Sequence, residues 1–155
     1  MSMMGEGHGN RLLAVVAAEG RQLEAVFSRI EAVTTGPDER RQLVDQLLAR
    51  LAVHAAARQE VLYPRVSRDV PDGDSLVDLA LLGLAQIERT NKEFAGLSGA
   101  EPTFHPLVTK LAQEVWEHLD EEESDVLPAL VDAIGTEEAN ELGDALARAG
   151  SARVG

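Results

Sequence analysis

At 155 residues the chain is long enough for one domain with a substantial core, and its 14 Lys and Arg against 27 Asp and Glu give a formal net charge of −13. That balance disfavours a phosphate backbone or an anionic bilayer as partner, so no nucleic-acid and no membrane role is expected. With no cysteine, disulfides and thiolate chemistry are excluded, and any metal must be held by histidine and carboxylate.

The first ten residues, Met-Ser-Met-Met-Gly-Glu-Gly-His-Gly-Asn, lack a basic start and an apolar stretch, so no secretory leader is expected. No apolar run approaches the roughly 20 residues of a membrane span, and a cytoplasmic location fits. Residues 1–9, with His8, are expected to form a flexible tail, residues 10–149 a helical bundle and residues 150–155 a second tail.

Asn10 has the side chain of an N-cap, and from there Leu12, Val16, Leu23, Phe27 and Ile30 recur at helical period. The inward position between Val16 and Leu23 falls on Gly20. Glycine inside a helix costs about 1 kcal/mol against alanine, so Gly20 marks either close backbone packing against a bulky neighbour or the wall of a pocket. Gly36-Pro37 forms a turn with Pro37 in the first turn of the second helix. That helix sets Leu43, Leu47, Leu51, His54, Arg58 and Val61 on one seam, which turns His54 and Arg58 inward. A buried guanidinium must meet a carboxylate, an anion or water.

Pro64 is expected to kink or end the second helix. After the Pro71-Asp72-Gly73-Asp74 loop, Ser75-Leu76-Val77-Asp78 resembles a capping box opening the third. Its seam reads Val77, Leu81, Leu84, Ile87 or Glu88, Asn91 and Phe94. Thr103 can cap the fourth helix, with Pro106 in its first turn and His105 near the surface. The fourth seam is Leu107 or Val108, Leu111, Val115, His118, Glu122 and Val126, while Asp120, Glu121 and Glu123 form a solvated face. Gly135 closes this region, and Thr136 can cap a short acidic helix to about Ala149 that covers one side of the bundle. No strand pattern competes, so the class is all-α.

Two stretches share one layout. His54 to Pro64 and His118 to Pro128 each place a histidine ten residues before a proline that closes an apolar tripeptide, Leu62-Tyr63-Pro64 or Val126-Leu127-Pro128. Four residues after its histidine, the second carries Glu122 and the first Arg58. His and Glu at that spacing share a helix face, which is how a four-helix bundle aims metal ligands into its interior.

These marks, with Glu88-Arg89-Thr90 of the third helix, resemble the hemerythrin-like, or HHE cation-binding, family over residues 10–148. The resemblance implies an up-and-down four-helix bundle that holds two irons for oxygen binding or sensing, iron handling or redox defence. It also implies a ligand set: a histidine on the first helix, histidine and a carboxylate on the second, histidine on the third, and histidine and a carboxylate on the fourth. Position by position, His54, His118 and Glu122 match. The first-helix histidine has become Gly20, the second-helix carboxylate Arg58, and the third-helix histidine Leu84. A guanidinium in place of a bridging carboxylate repels cations, and Arg58 is placed to pair with Glu122 across the helices.

The leading expectation is therefore a bundle with no working di-iron centre and no cofactor. Its interior, formed by Gly20, His54, Arg58, Leu84, His118 and Glu122, would bind a small molecule or a partner. A second has one iron or other divalent metal on His54, His118 and Glu122 for oxygen or redox handling. Glu19 or Glu24 could assist there, although both read as surface residues. A third is a metal-independent enzyme with His54 or His118 as general base, Glu122 orienting it and Arg58 holding an anionic substrate. Ligand identity, protein partner, oligomeric state and enzymatic turnover are left open by the sequence.

Overall fold

A computed structural model of the chain describes residues 10–33 and 36–154, with side chains to Ser151; the expected tail 1–9, with His8, lies outside the described residues. Asn10 caps the first helix, its Oδ1 accepting from the Leu13 backbone N–H at 2.9 Å. Helix α1 (Arg11–Ala32) then buries Leu12, Val16, Leu23, Phe27 and Ile30, with Val15 and Val26 beside them. Gly36, at φ 137°, turns the chain into α2 (Pro37–Ala57), whose acidic first turn of Asp38 and Glu39 suits the positive end of a helix.

Pro64 does not end the second helix. Having no N–H, it cannot continue the regular ladder, and the chain takes one wider π turn, Arg58–Leu62, in which the Tyr63 N–H donates to the Arg58 carbonyl. Helix α3 (Tyr63–Asp69) follows, with Pro64 in its first turn.

Helix α4 (Gly73–Glu93) starts two residues before the expected capping box, with Asp72 at the N-cap position and no side-chain capping bond. Gly73 explains the shift: a Cβ there would lie 1.9 Å from the Val66 carbonyl oxygen, so the helix packs its first residue directly on α3. Its buried side chains are Ala80, Leu84, Ile87 and Thr90, with Phe94 at the end. Leu81, expected inward, is 36% exposed, because the phase set by Leu84 and Ile87 brings Ala80 to the core instead.

Helix α5 (Phe104–Glu121) buries Leu107, Val108, Leu111, Val115 and His118 as expected, although Thr103 stands at its N-cap without a side-chain capping bond. A second π turn, Glu122–Val126, precedes Pro128 as the first precedes Pro64, and the Leu127 N–H donates to the Glu122 carbonyl. Helix α6 (Leu127–Val154) bends at Gly135 (φ 85°) and runs past the expected end at Ala149.

Beyond the bend α6 lies along α1. Asn140 accepts from the Arg11 backbone N–H at 2.7 Å, and Asp144 accepts from Arg11 Nε at 2.9 Å. Gly143 permits the approach, since a Cβ there would lie 2.5 Å from the Leu12 nitrogen. The long helical runs form an all-α, up-and-down four-helix bundle, with residues 136–154 covering one side. Among the described residues, no helix is long and apolar enough to cross a membrane.

Candidate functional site

The two π turns set the centre of the site, because Arg58 and Glu122 are the first residues of each. Their side chains meet inside the bundle: Arg58 Nε donates to Glu122 Oε2 at 2.9 Å and Nη2 to Oε1 at 3.0 Å. This fork is the geometry in which guanidinium and carboxylate bind most strongly. Arg58 is wholly buried and Glu122 is 2% exposed.

Arg58 Nη2 also lies 2.7 Å from Glu19 Oε1, an ion pair whose alignment falls short of a directed hydrogen bond. Burial opposes the arginine's charge, but Glu122 and then Glu19 outweigh it and hold the guanidinium ionised, above its ordinary range. Nη1 has no hydrogen-bond partner among the described residues, nor has the buried Tyr63 hydroxyl. Burial, reinforced by the negative charge of Glu122, pushes the Tyr63 phenol up.

One turn before these residues on each helix, His54 and His118 face each other with Nε2 atoms 3.4 Å apart and rings edge-on at 79°. Burial first, then the charge of Arg58, holds His54 well below the usual imidazole range. Burial lowers His118 as well, against the opposing pull of Glu122. Both rings are therefore neutral near pH 7, so one Nε2–H can donate to the other Nε2. Neither Nδ1 has a hydrogen-bond partner among the described residues, although His54 Nδ1 lies 3.9 Å from Glu19 Oε1.

His54, Arg58, His118 and Glu122 thus come together as one buried cluster. Gly20 is half-buried and meets no backbone: a Cβ there would touch only Leu119 Cδ1, at 4.0 Å. Leu84 joins the apolar core. The inward carboxylate of α1 is Glu19, expected at the surface but only 23% exposed, whereas Glu24 is exposed. Its signal was present in the sequence, since Val15, Glu19, Leu23 and Val26 follow helical spacing as well as a seam through Gly20 does. Gly83 was also missed. A Cβ there would lie 3.3 Å from His118 Nδ1, so the glycine gives the imidazole room against α4.

An open cleft of about 440 Å³ runs between α1, α2 and the last turns of α6, with Glu19 and His54 among its lining residues. Of the six residues expected to line a central pocket, His54 lines this cleft; Gly20, Arg58, Leu84, His118 and Glu122 do not. Solvent therefore reaches the cluster from the side of Glu19 and His54.

The sequence profile of the hemerythrin HHE cation-binding domain matches residues 11–130. A DNA nickase from Nostoc sp. (strain PCC 7120) is 26% identical over 126 residues, covering 80% of this chain and 34% of that protein, so the chain spans about a third of that relative's length. The crystal structure of an HHE cation-binding-domain-containing protein from Mycobacterium kansasii superposes with a TM-score of 0.80 at 22% identity, over 94% of this chain and 88% of that one. With the profile spanning all four helices of the bundle, and the same fold in the M. kansasii protein, the chain belongs to the hemerythrin HHE cation-binding domain family.

Proposed function

We propose that this bundle has exchanged the family's dinuclear iron centre for an arginine–carboxylate network and binds a small molecule through the cleft beside it. The observation that carries the proposal is Arg58, wholly buried, with both Glu122 oxygens accepting from it and Glu19 beside it. Two irons need several imidazoles and bridging carboxylates to offset their charge and dehydration. Here the first helix offers Glu19 but no histidine, the third offers Leu84, and a permanent cation, Arg58, lies on both Glu19 and Glu122. The donor set does not fit a dinuclear centre. The cleft supplies the alternative, since its volume falls within the roughly 300–1,000 Å³ typical of small-molecule sites.

The nicking activity in the Nostoc relative's name is not carried over. The match spans 34% of that protein, and a net charge of −13 disfavours a phosphate backbone.

A single bound cation is the second reading, favoured by one observation. Ligand atoms of His54, His118 and Glu122 all lie within 4.8 Å of one another. The 3.4 Å between the imidazole nitrogens is also close to the edge of a tetrahedral site with metal–nitrogen bonds of about 2.1 Å. Glu122 would have to share its oxygens with Arg58.

Elemental analysis separates these readings, on protein purified without chelator and again after anaerobic loading with ferrous iron. Near-zero metal in both preparations is expected. One metal per chain would favour the single-cation site, and two would overturn the proposal.

A further inference from the structure

The lining of the cleft identifies a class of ligand, on the reading that Arg58 rather than iron holds the interior. Three charged side chains face the cleft: Arg11, Glu19 and Arg50. Arg11 is paired with Asp144 at 2.9 Å. Glu19 shares Arg58 with Glu122, so two carboxylates meet one guanidinium and a negative charge is left uncompensated. Arg50 donates to Gln22 Oε1 at 3.2 Å and has no carboxylate partner among the described residues.

The cleft thus has a negative pole at Glu19 and a positive pole at Arg50, which do not neutralise each other. His54 lies at the negative pole. It is 7% exposed, lines the cleft and carries an unpartnered Nδ1 3.9 Å from Glu19 Oε1. Arg50 precedes it by one turn of α2, about 6 Å along the helix axis. Leu23 and Val53 give the same cleft an apolar wall.

We propose that this cleft binds a small amino-carboxylic acid, its ammonium group against Glu19 and Nδ1 of His54, its carboxylate on Arg50, and a short hydrocarbon spine against Val53 and Leu23. An ammonium group donates to the Glu19 carboxylate, and to His54 Nδ1 in the tautomer whose Nε2–H donates to His118, and a carboxylate matches the fork of Arg50. The offset of Arg50 from His54 by one turn of α2 sets the scale of the spine at about four carbons.

The test is a heteronuclear NMR titration of the full chain, with iron content measured on every sample. Three probes of one length are compared: 4-aminobutanoate, butylammonium and butanoate. The zwitterion is expected to shift the amides of Glu19, Val53 and His54 and to bind about tenfold more tightly than either singly charged probe, as charge-assisted contacts at both ends require. Glu19→Gln should bring it down to the affinity of butanoate, and Arg50→Gln to that of butylammonium. Ala147→Leu, which adds bulk to the lining of the cleft and leaves its charged residues in the sequence, should abolish binding of all three.

A singly charged probe binding as tightly as the zwitterion overturns the proposal, as does a zwitterion indifferent to both polar substitutions. Iron-free protein that binds none of the probes sinks the ligand assignment alone. Two irons on the chain would instead remove the arginine network on which the assignment rests.

Discussion

Arg58 meets Glu122 across the same 64-residue separation at which His54 meets His118, and Pro64 is separated from Pro128 by that interval too. Equivalent positions of two copies of one motif therefore face each other, as identical surfaces do at a two-fold axis. Two carboxylates meeting in this way would repel and need a cation between them. With arginine in one copy, the cation is covalently part of the chain.

That pairing predicts non-additive stability. Arg58→Leu leaves Glu122 buried and unpaired, costing about 3–5 kcal/mol, whereas Glu122→Leu leaves the guanidinium with Glu19 as its one carboxylate and should cost less. The double substitution removes both charges and should regain most of the loss. Urea unfolding followed through Trp116, which packs on Phe27 at 5.4 Å between ring centroids, measures all four proteins. Strictly additive losses would show that the fork contributes nothing as a pair.

The imidazole pair predicts a pH dependence of definite sign. His54 and His118 are held below their unfolded value of about 6.5, so the unfolded chain takes up protons first as pH falls. Their contribution is fully present above about pH 6.5 and is lost progressively below it. Asp69, held at about 2 by Arg68 and Arg65, loses its contribution only below about pH 4, outside this window. Unfolding midpoints should drop between pH 7 and pH 5.5, and His54→Gln should flatten that slope. An unchanged slope in the variant would assign the dependence to other groups.

The glycines separate packing from permissiveness. Gly73→Ala forces a Cβ to 1.9 Å from the Val66 carbonyl and should cost more than about 2 kcal/mol, because backbone must move. Gly20→Ala meets only Leu119 Cδ1 at 4.0 Å and should stabilise α1 by up to about 1 kcal/mol, the helix-propensity gain. Thermal unfolding of the two variants checks both, and destabilisation by Gly20→Ala would mean that the position needs glycine for a reason other than space.

Much of this arrangement was legible in the sequence because it follows periodicity. The seams through Leu47, Leu51 and His54, and through Leu111, Val115 and His118, are buried as helical spacing requires, and the inward Arg58 finds the carboxylate that a buried guanidinium needs. Periodicity failed where about a quarter of a turn decides. Between Val16 and Leu23 it allowed Glu19 or Gly20, and the structure turns Glu19 to Arg58; on α4 it allowed Leu81, and the core takes Ala80. The start of α4 depended on a backbone contact between Gly73 and Val66, and the passage of the chain through Pro64 on a π turn, neither of which local pattern encodes.

A thermal-shift titration with ferrous iron, run anaerobically on the native chain and on Arg58→Glu, tests most directly whether arginine has taken the cation's place. Arg58→Glu removes the internal cation and gathers carboxylates around His54 and His118, so it should unfold more readily alone. It should regain about 2.7 kcal/mol of stability at a hundredfold excess of iron over its dissociation constant, while the native chain stays unmoved. Equal stabilisation of the native chain by iron would contradict the account, because Arg58 would then be a neighbour of the metal site and not its replacement.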